Sequence, residues 1–301
     1  MERYPTGDGM VNTMPIADKI TTMTMIRHHQ IHAKQSFGQN FLIQEAAALA
    51  VAQHPLITPD TVVIEIGPGL GALTEPLTAR AYYTYAIEID PVMVAILHQT
   101  FAATQRLEIV TADITKIDWR ELASRHPNHP VVVVSNLPYY LTSEILLDVL
   151  AAPLPVVGCL AMMQKEVARR LLTSEGGKDE NELTLCSKFY ATLEKVKEVS
   201  KNDFIPRPTV DSTIVAFTLN ATRYEPRLHQ QFGPMVRQIF RARRKTLTNN
   251  LEPLFSNKAE TVQWLMHHGF HPQIRPEALP FVEVVRLIEQ LTKEGFPHAS
   301  T

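Results

Sequence analysis

Cysteine is scarce: two in 301 residues, Cys159 and Cys186. Neither belongs to a C-x-x-C pair or another metal-ligand spacing. That excludes a disulfide-stapled scaffold and a cysteine zinc site, and it points to a reducing compartment. No apolar run approaches the roughly 18 residues that a membrane-spanning helix needs. The first residues lack the charged-then-apolar pattern of a secretory signal, so a cytoplasmic location is expected. No metal site is expected either. An excess of one charge is also missing. The formal net charge is −2, so no whole-molecule field advertises a polyanionic partner, and any basic surface has to be local. No repeat or low-complexity run is visible. What remains is an ordinary globular composition, long enough for one large domain and a small one.

The chain is organised around Val62-Val63-Ile64-Glu65-Ile66-Gly67-Pro68-Gly69-Leu70-Gly71. A β-branched run of this kind predicts a strand covered on both faces, as in a parallel sheet. It runs into a glycine turn and then a helix over 72–80. Gly67, Gly69 and Gly71 leave no Cβ between backbone and ligand. In open α/β sheets such a turn at a strand's carboxyl end is where nucleotide-like cofactors sit. The plain alternative is a tight turn with no ligand.

Strands at 83–89, 106–110, 130–135 and 156–163 follow, alternating with helices at 91–99, 142–150 and 164–172. This predicts an α/β doubly wound parallel sheet. Glu88 lies 21 positions after Gly67, at the end of the second strand, where an acid can accept hydrogen bonds from both ribose hydroxyls. Asp90, immediately before Pro91, is assigned to capping the next helix. Asp113, just past the third strand, suits an adenine amino group or a helix cap equally well. Residues 32–42 (HAKQSFGQNFL) read as either an ordered loop or a solvated linker. From about 222 the pattern is helical to 293. The expected domains are a flexible extension at 1–13, a catalytic domain at 14–221 and a small all-helical domain at 222–301.

The turn is spaced G-x-G-x-G, and Ala72 formally satisfies the dinucleotide variant, so it does not exclude NAD. The next loops decide. Asn136-Leu137-Pro138-Tyr139 ends the fourth strand. The Asn136 side-chain carbonyl and the Leu137 backbone carbonyl can accept hydrogen bonds from an exocyclic amine. Pro138 stiffens the loop, and Tyr139 offers a flat face to a base. An adenine amino nitrogen is a weak nucleophile, because its lone pair is delocalised into the ring. Two acceptors favour a tetrahedral nitrogen with that pair aimed at an electrophile, and the sulfonium methyl of S-adenosylmethionine fits. Orientation then supplies most of the catalysis. An RNA base must be splayed out and stacked to reach such a pocket. The competing reading is a proline turn that caps the helix at 142.

Together with these stretches, 164–171 (QKEVARRL), 204–212 (FIPRPTVDS) and 240–251 (FRARRKTLTNNL) resemble, in order, the KsgA-type family of ribosomal RNA adenine dimethyltransferases. The likeness runs from about 16 to 291. It implies a class I (Rossmann-like) S-adenosylmethionine-dependent methyltransferase sheet. It also implies dimethylation at N6 of two adjacent adenines in the hairpin near the 3′ end of small-subunit (16S) rRNA, during subunit biogenesis. Cofactor contacts are implied at Asn40, Leu42, Gly67, Glu88, Asp113 and Asn136, with Gly69 in the same turn. Phe204 is implied as a second stacking face opposite Tyr139. Where the family usually carries a Tyr-Gly-x-Leu-Ser-like segment, this chain has Glu180-Asn181-Glu182-Leu183-Thr184-Leu185.

Arg237, Arg241, Arg244, Lys245 and Thr248 would form one basic stripe if the segment were helical throughout, suited to RNA phosphates. Arg169, Arg170 and Lys34 would extend it. A partly assembled small subunit is the expected partner. Competing functions are a large-subunit adenine N6-methyltransferase conferring resistance, a dehydrogenase, and a non-catalytic assembly factor. No His, Lys or Tyr constellation supports the dehydrogenase. The intact Asn136, Glu88 and glycines favour catalysis.

Overall fold

The structure is a computed structural model that describes residues 14–33, 38–136, 142–152, 155–173, 180–220, 222–242 and 244–296. Leu137, Pro138, Tyr139, Lys34 and residues 1–13 lie outside the described residues. The chain divides into two compact units. One comprises Met1–Ile145, Pro153–Ala168 and Glu194–Thr218; the other comprises Leu146–Ala152, Arg169–Leu193 and Leu219–Thr301.

In chain order the elements begin α1 (Lys19–His28), β1 (Phe41–Leu42), α2 (Glu45–Ala52), β2 (Val62–Ile66), α3 (Thr74–Arg80), β3 (Tyr83–Glu88), α4 (Pro91–Thr100) and β4 (Leu107–Thr111). They continue with α5 (Arg120–Ser124), β5 (Val131–Ser135), α6 (Thr142–Leu150), β6 (Val156–Gln164), α7 (Lys165–Thr173), α8 (Glu182–Tyr190), β7 (Ala191–Val199), β8 (Phe204–Ile205) and β9 (Ser212–Leu219). The helices α9 (Pro226–Phe240), α10 (Leu247–Leu251), α11 (Lys258–His267) and α12 (Phe281–Lys293) complete the chain. No helix among the described residues is long and apolar enough to cross a membrane.

The sheet order is β4-β3-β2-β5-β6-β9-β7. Every residue of β2 and β5 is buried, so both faces of the sheet centre are covered. Each fully buried Val or Ile there contributes roughly 1.5–3 kcal/mol relative to exposure. The strands β4, β3, β2, β5 and β6 run parallel, but β9 pairs antiparallel with β6. An apolar run records burial and not direction, so the antiparallel β9 was not readable from sequence. From β2 the chain adds strands outward to β4, then returns to place β5 on the other side of β2. That reversal opens a crevice at the carboxyl ends of β2 and β5.

The second unit packs around Phe189. Its ring stacks on Tyr224 at 4.2 Å and on Phe232 at 3.7 Å, nearly parallel to both. The Tyr190 hydroxyl donates to the His229 carbonyl at 2.9 Å and accepts the Gly233 amide at 3.0 Å, tying α8 to α9. The departing segment at 180–185 forms a sound helix start. Asn181 caps α8 in a reciprocal box with Thr184. Glu180, fully buried, accepts the Thr184 hydroxyl and pairs with Lys188.

Candidate active site

The turn after β2 is built by glycine. Gly67, Gly69 and Gly71 have φ of 69°, 57° and 93°, a region that other residues enter only at a cost. Gly71 is doubly constrained. A Cβ there would lie 2.6 Å from the Phe101 ring, so the close approach of turn and α4 excludes any side chain. At Gly67 a Cβ would meet no protein atom within 4 Å, and that empty space belongs to a cavity.

The cavity holds about 290 Å³, near the lower end for small-molecule sites. Asn40, Leu42, Gly67, Gly69, Glu88, Asp113 and Asn136 all line it. Parallel strands deliver the last five residues to one sheet edge. Asn40 and Leu42 come from a separate two-stranded sheet and the residues before it, where β1 pairs antiparallel with β8, matching Phe41 with Ile205 and Leu42 with Phe204. The Phe41 ring lies 3.5 Å from where a Gly69 Cβ would stand.

Glu88 is 6 % exposed. One carboxylate oxygen accepts the amides of Ile89 and Asp90, both at 2.9 Å; the other accepts the Gly69 amide at 3.2 Å. Burial raises its pKa, and these three donors oppose the rise. Glu88 therefore braces the glycine turn as well as facing the cavity. Asp90 caps α4 as its place before Pro91 suggests, accepting the Val92 amide at 3.1 Å. Asp113 caps no helix, because the chain continues from it as a turn and the next helix starts at Arg120. Its Oδ1 accepts the Thr115 amide at 3.0 Å and hydroxyl at 2.7 Å, bonds that hold its pKa below the usual range, and the residue still lines the cavity. The Asn136 amide nitrogen donates to the Asn40 carbonyl at 3.4 Å. The amide is thereby oriented, with Oδ1 as its acceptor end. Phe204 is 4 % exposed within the core, so stacking on a base requires its ring to be uncovered.

The sequence reading missed Glu65, Thr22 and Gln39, which line the same cavity. Glu65 was visible as the one charge in an apolar strand. It is 1 % exposed and accepts the Thr74 hydroxyl at 2.7 Å. Burial pushes its pKa up to about 8, the Thr74 bond opposes, and the Glu88 charge adds to the rise.

Residues 30–293 match the model of the ribosomal RNA adenine dimethylase family. The chain belongs to this family. Among curated relatives it is 33% identical over 293 residues to ribosomal RNA small subunit methyltransferase A of Pediococcus pentosaceus, covering 95% of this chain and 99% of the relative. The namesake from Lactobacillus acidophilus is 35% identical over 291 residues, covering 93% and 99%. Among solved structures, a dimethyladenosine transferase from Plasmodium falciparum superposes with a TM-score of 0.68 at 23% identity, covering 85% of this chain and 99% of that one. The 23S rRNA methyltransferase ErmE gives 0.60 at 26%, covering 84% and 99%. The class I methyltransferase fold follows.

Dimethylases of this family use S-adenosylmethionine, and the residues present fit it. The glycine turn leaves its backbone open, Glu88 supplies a carboxylate, and the apolar side chains of Ile89 and Ile114 line the same cavity beside Asp113. Glu88→Ala is expected to weaken S-adenosylmethionine binding by about 10–100-fold, the range for losing hydrogen bonds to a charged group. Calorimetric titration checks this, and an unchanged Kd would assign Glu88 to bracing alone.

In this dimethylase the basic residues do not form a helical stripe. The helix α9 ends at Phe240, and Thr246 caps a separate α10. Asn250 explains the break: its side chain accepts the Ala242 amide at 3.0 Å and donates to the Ala242 carbonyl at 3.3 Å, holding a tight connection. Arg241, Arg244 and Lys245 are exposed on that connection, and Arg237 is exposed on the last turn of α9. Thr248 drops out of the set. It is buried, and its hydroxyl donates to the Pro272 carbonyl at 2.7 Å. Arg237 already has a carboxylate partner, since its Nε donates to Glu182 at 3.0 Å.

Proposed function

We propose that this chain dimethylates N6 of two adjacent adenines in the hairpin near the 3′ end of small-subunit ribosomal RNA, with the partly assembled subunit as substrate. The observation that carries this reading is Asn136. Its amide nitrogen is committed to Asn40, its carbonyl end remains to receive the adenine amine, and it stands at the rim of the cofactor cavity. S-adenosylmethionine, when bound, supplies an electrophilic methyl group. Asn136, with the Leu137 carbonyl as second acceptor, orients the amine lone pair toward that methyl. Pro138 stiffens the loop and Tyr139 stacks on the base. The names of the relatives at 33–35% identity over nearly the whole chain support the small-subunit RNA over the large.

Arg237, Arg241, Arg244 and Lys245 contact phosphates in this reading. So few cations on a chain of net charge −2 give weak, salt-sensitive binding to naked RNA, and a particle would add further contacts. A cytoplasmic, ribosome-associated location follows. The test uses immature small subunits lacking the modification, with purified protein and radiolabelled S-adenosylmethionine. Dimethyladenosine at adjacent positions near the 3′ end supports the reading. Label confined to large-subunit RNA, or no label despite binding of donor and subunit, overturns it.

The Glu182–Arg237 pair makes a separate expectation. Glu182→Gln frees Arg237 for phosphate, so RNA affinity should rise about two- to five-fold, the worth of an exposed ion pair. The slope of log affinity against log salt should steepen by about 0.7. Fluorescence anisotropy across a salt series reads both. An unchanged slope would take Arg237 out of the RNA contacts.

A further inference from the structure

One side of the cofactor cavity is held by a bond that helix capping does not require. Asp90 is 1 % exposed. Its Oδ1 accepts the Val92 amide at the start of α4. Its Oδ2 accepts from Gln39 Nε2 at 2.9 Å. Its own main-chain amide donates to Glu88 at 2.9 Å. A cap needs one side-chain oxygen, which Asn, Ser or Thr supplies as well. A whole carboxylate this deeply buried is costly unless its second oxygen is also satisfied. Gln39 provides that bond from the segment that carries Asn40 and Leu42 to the cavity.

We infer that Gln39 and Asp90 form a tie that holds residues 38–42 against the cofactor and sets how long the cofactor stays bound. Gln39 is a positioning residue. It fixes the backbone on which Asn40 and Leu42 ride, and the Asn40 carbonyl in turn receives Asn136. Through its main-chain amide Asp90 also bonds Glu88. The segment leading into β1 and the segment that follows β3 are therefore linked, among the described residues, through this side-chain pair. When the tie opens, Asn40 and Leu42 lose their placement while Glu88 and the glycine turn keep theirs. The effect should fall first on cofactor dissociation, with a smaller loss in the chemical step through the loosened Asn136 amide. This inference rests on the S-adenosylmethionine site described above.

The experiment exchanges donor and acceptor. Gln39→Glu sets two carboxylates against each other. The double variant Gln39→Glu with Asp90→Asn restores a donor–acceptor pair with its polarity reversed, and Asn keeps the cap on α4. Gln39→Ala removes the tie without adding charge. Calorimetry and stopped-flow fluorescence give the Kd and dissociation rate of S-adenosylmethionine. Hydrogen exchange follows the amides of 38–42, and thermal melts check that each variant folds.

Gln39→Glu and Gln39→Ala are each expected to speed dissociation at least tenfold and to lose protection across 38–42. In turnover assays KM for the donor should rise by a similar factor with kcat within about threefold. The double variant should recover most of the affinity. If either single variant folds and binds with unchanged Kd and dissociation rate, the tie is overturned. The same holds if the folded double variant is no better than Gln39→Glu. Failure of wild-type protein to bind S-adenosylmethionine would instead overturn the site itself. Loss of binding in Glu88→Ala with none in the Gln39 variants would remove the tie and leave the site standing.

Discussion

Replacing Asn136 by alanine is expected to slow methyl transfer by about 10²–10³-fold while S-adenosylmethionine binding stays within about tenfold of wild type. The asymmetry follows from where Asn136 stands. It lines the cavity edge, but Glu88, Asp113 and the glycine turn line the rest, so most cofactor contacts survive. What disappears is the acceptor for the adenine amine. Without it the amine nitrogen keeps its lone pair in the ring and must find the reactive geometry unaided. Alanine also frees the Asn40 carbonyl, so a modest loss of donor affinity is expected. Asn136→Asp keeps an oxygen acceptor but loses the donor to Asn40, and its residual rate should exceed that of alanine. Single-turnover assays with saturating subunit and donor separate the step from binding. Near-normal turnover in Asn136→Ala would remove it from catalysis, and a matching collapse of donor affinity would recast it as a binding residue.

Glu65→Gln should abolish a large pH dependence of stability. In the folded protein burial raises the Glu65 pKa from the ordinary 4.5 to about 8. The folded state thus keeps its proton through a window in which the unfolded chain has released it. Wherever the native state binds more protons, stability falls as pH rises. The loss accumulates between about pH 4.5 and pH 8 and levels off above. A displacement of that size corresponds to roughly 3–5 kcal/mol. Glutamine stays neutral, and its carbonyl can still accept the Thr74 hydroxyl. The variant should match wild type near pH 4.5 and exceed it by that amount near pH 9. Urea unfolding at pH 5, 7 and 9 measures the divergence. Parallel curves for the two proteins would mean that Glu65 carries its charge in the folded state.

The elements that position the site were legible wherever burial and backbone chemistry leave a local signature. β2 and β5 are wholly buried, so their apolar runs name them. The capping role of Asp90 could be read from its place before Pro91. Glu65 went unremarked because its partner, Thr74, lies across the glycine turn and no local pattern links them. Pairing between β1 and β8 is two residues long on each side, too short for any alternation to register. The basic stripe failed for a related reason. Periodicity counts positions along a helix, but the bonds from Asn250 to Ala242 that end α9 come from the next helix. The antiparallel β9 shows a third limit, since direction within a sheet is a property of the connections.

The β1–β8 pairing has a consequence for how the enzyme is made. Phe41 and Leu42 emerge from the translating ribosome early, whereas Phe204 and Ile205 emerge only after most of the catalytic unit. At roughly 5–20 residues per second, the first pair waits on the order of ten to thirty seconds for the second. During that interval the glycine turn and Glu88 can already be in place, but the facing wall has no strand to pair with. A nascent chain that stops short of 205 therefore carries a half-built donor pocket, and methyl-donor capture becomes a late, near-full-length event in synthesis.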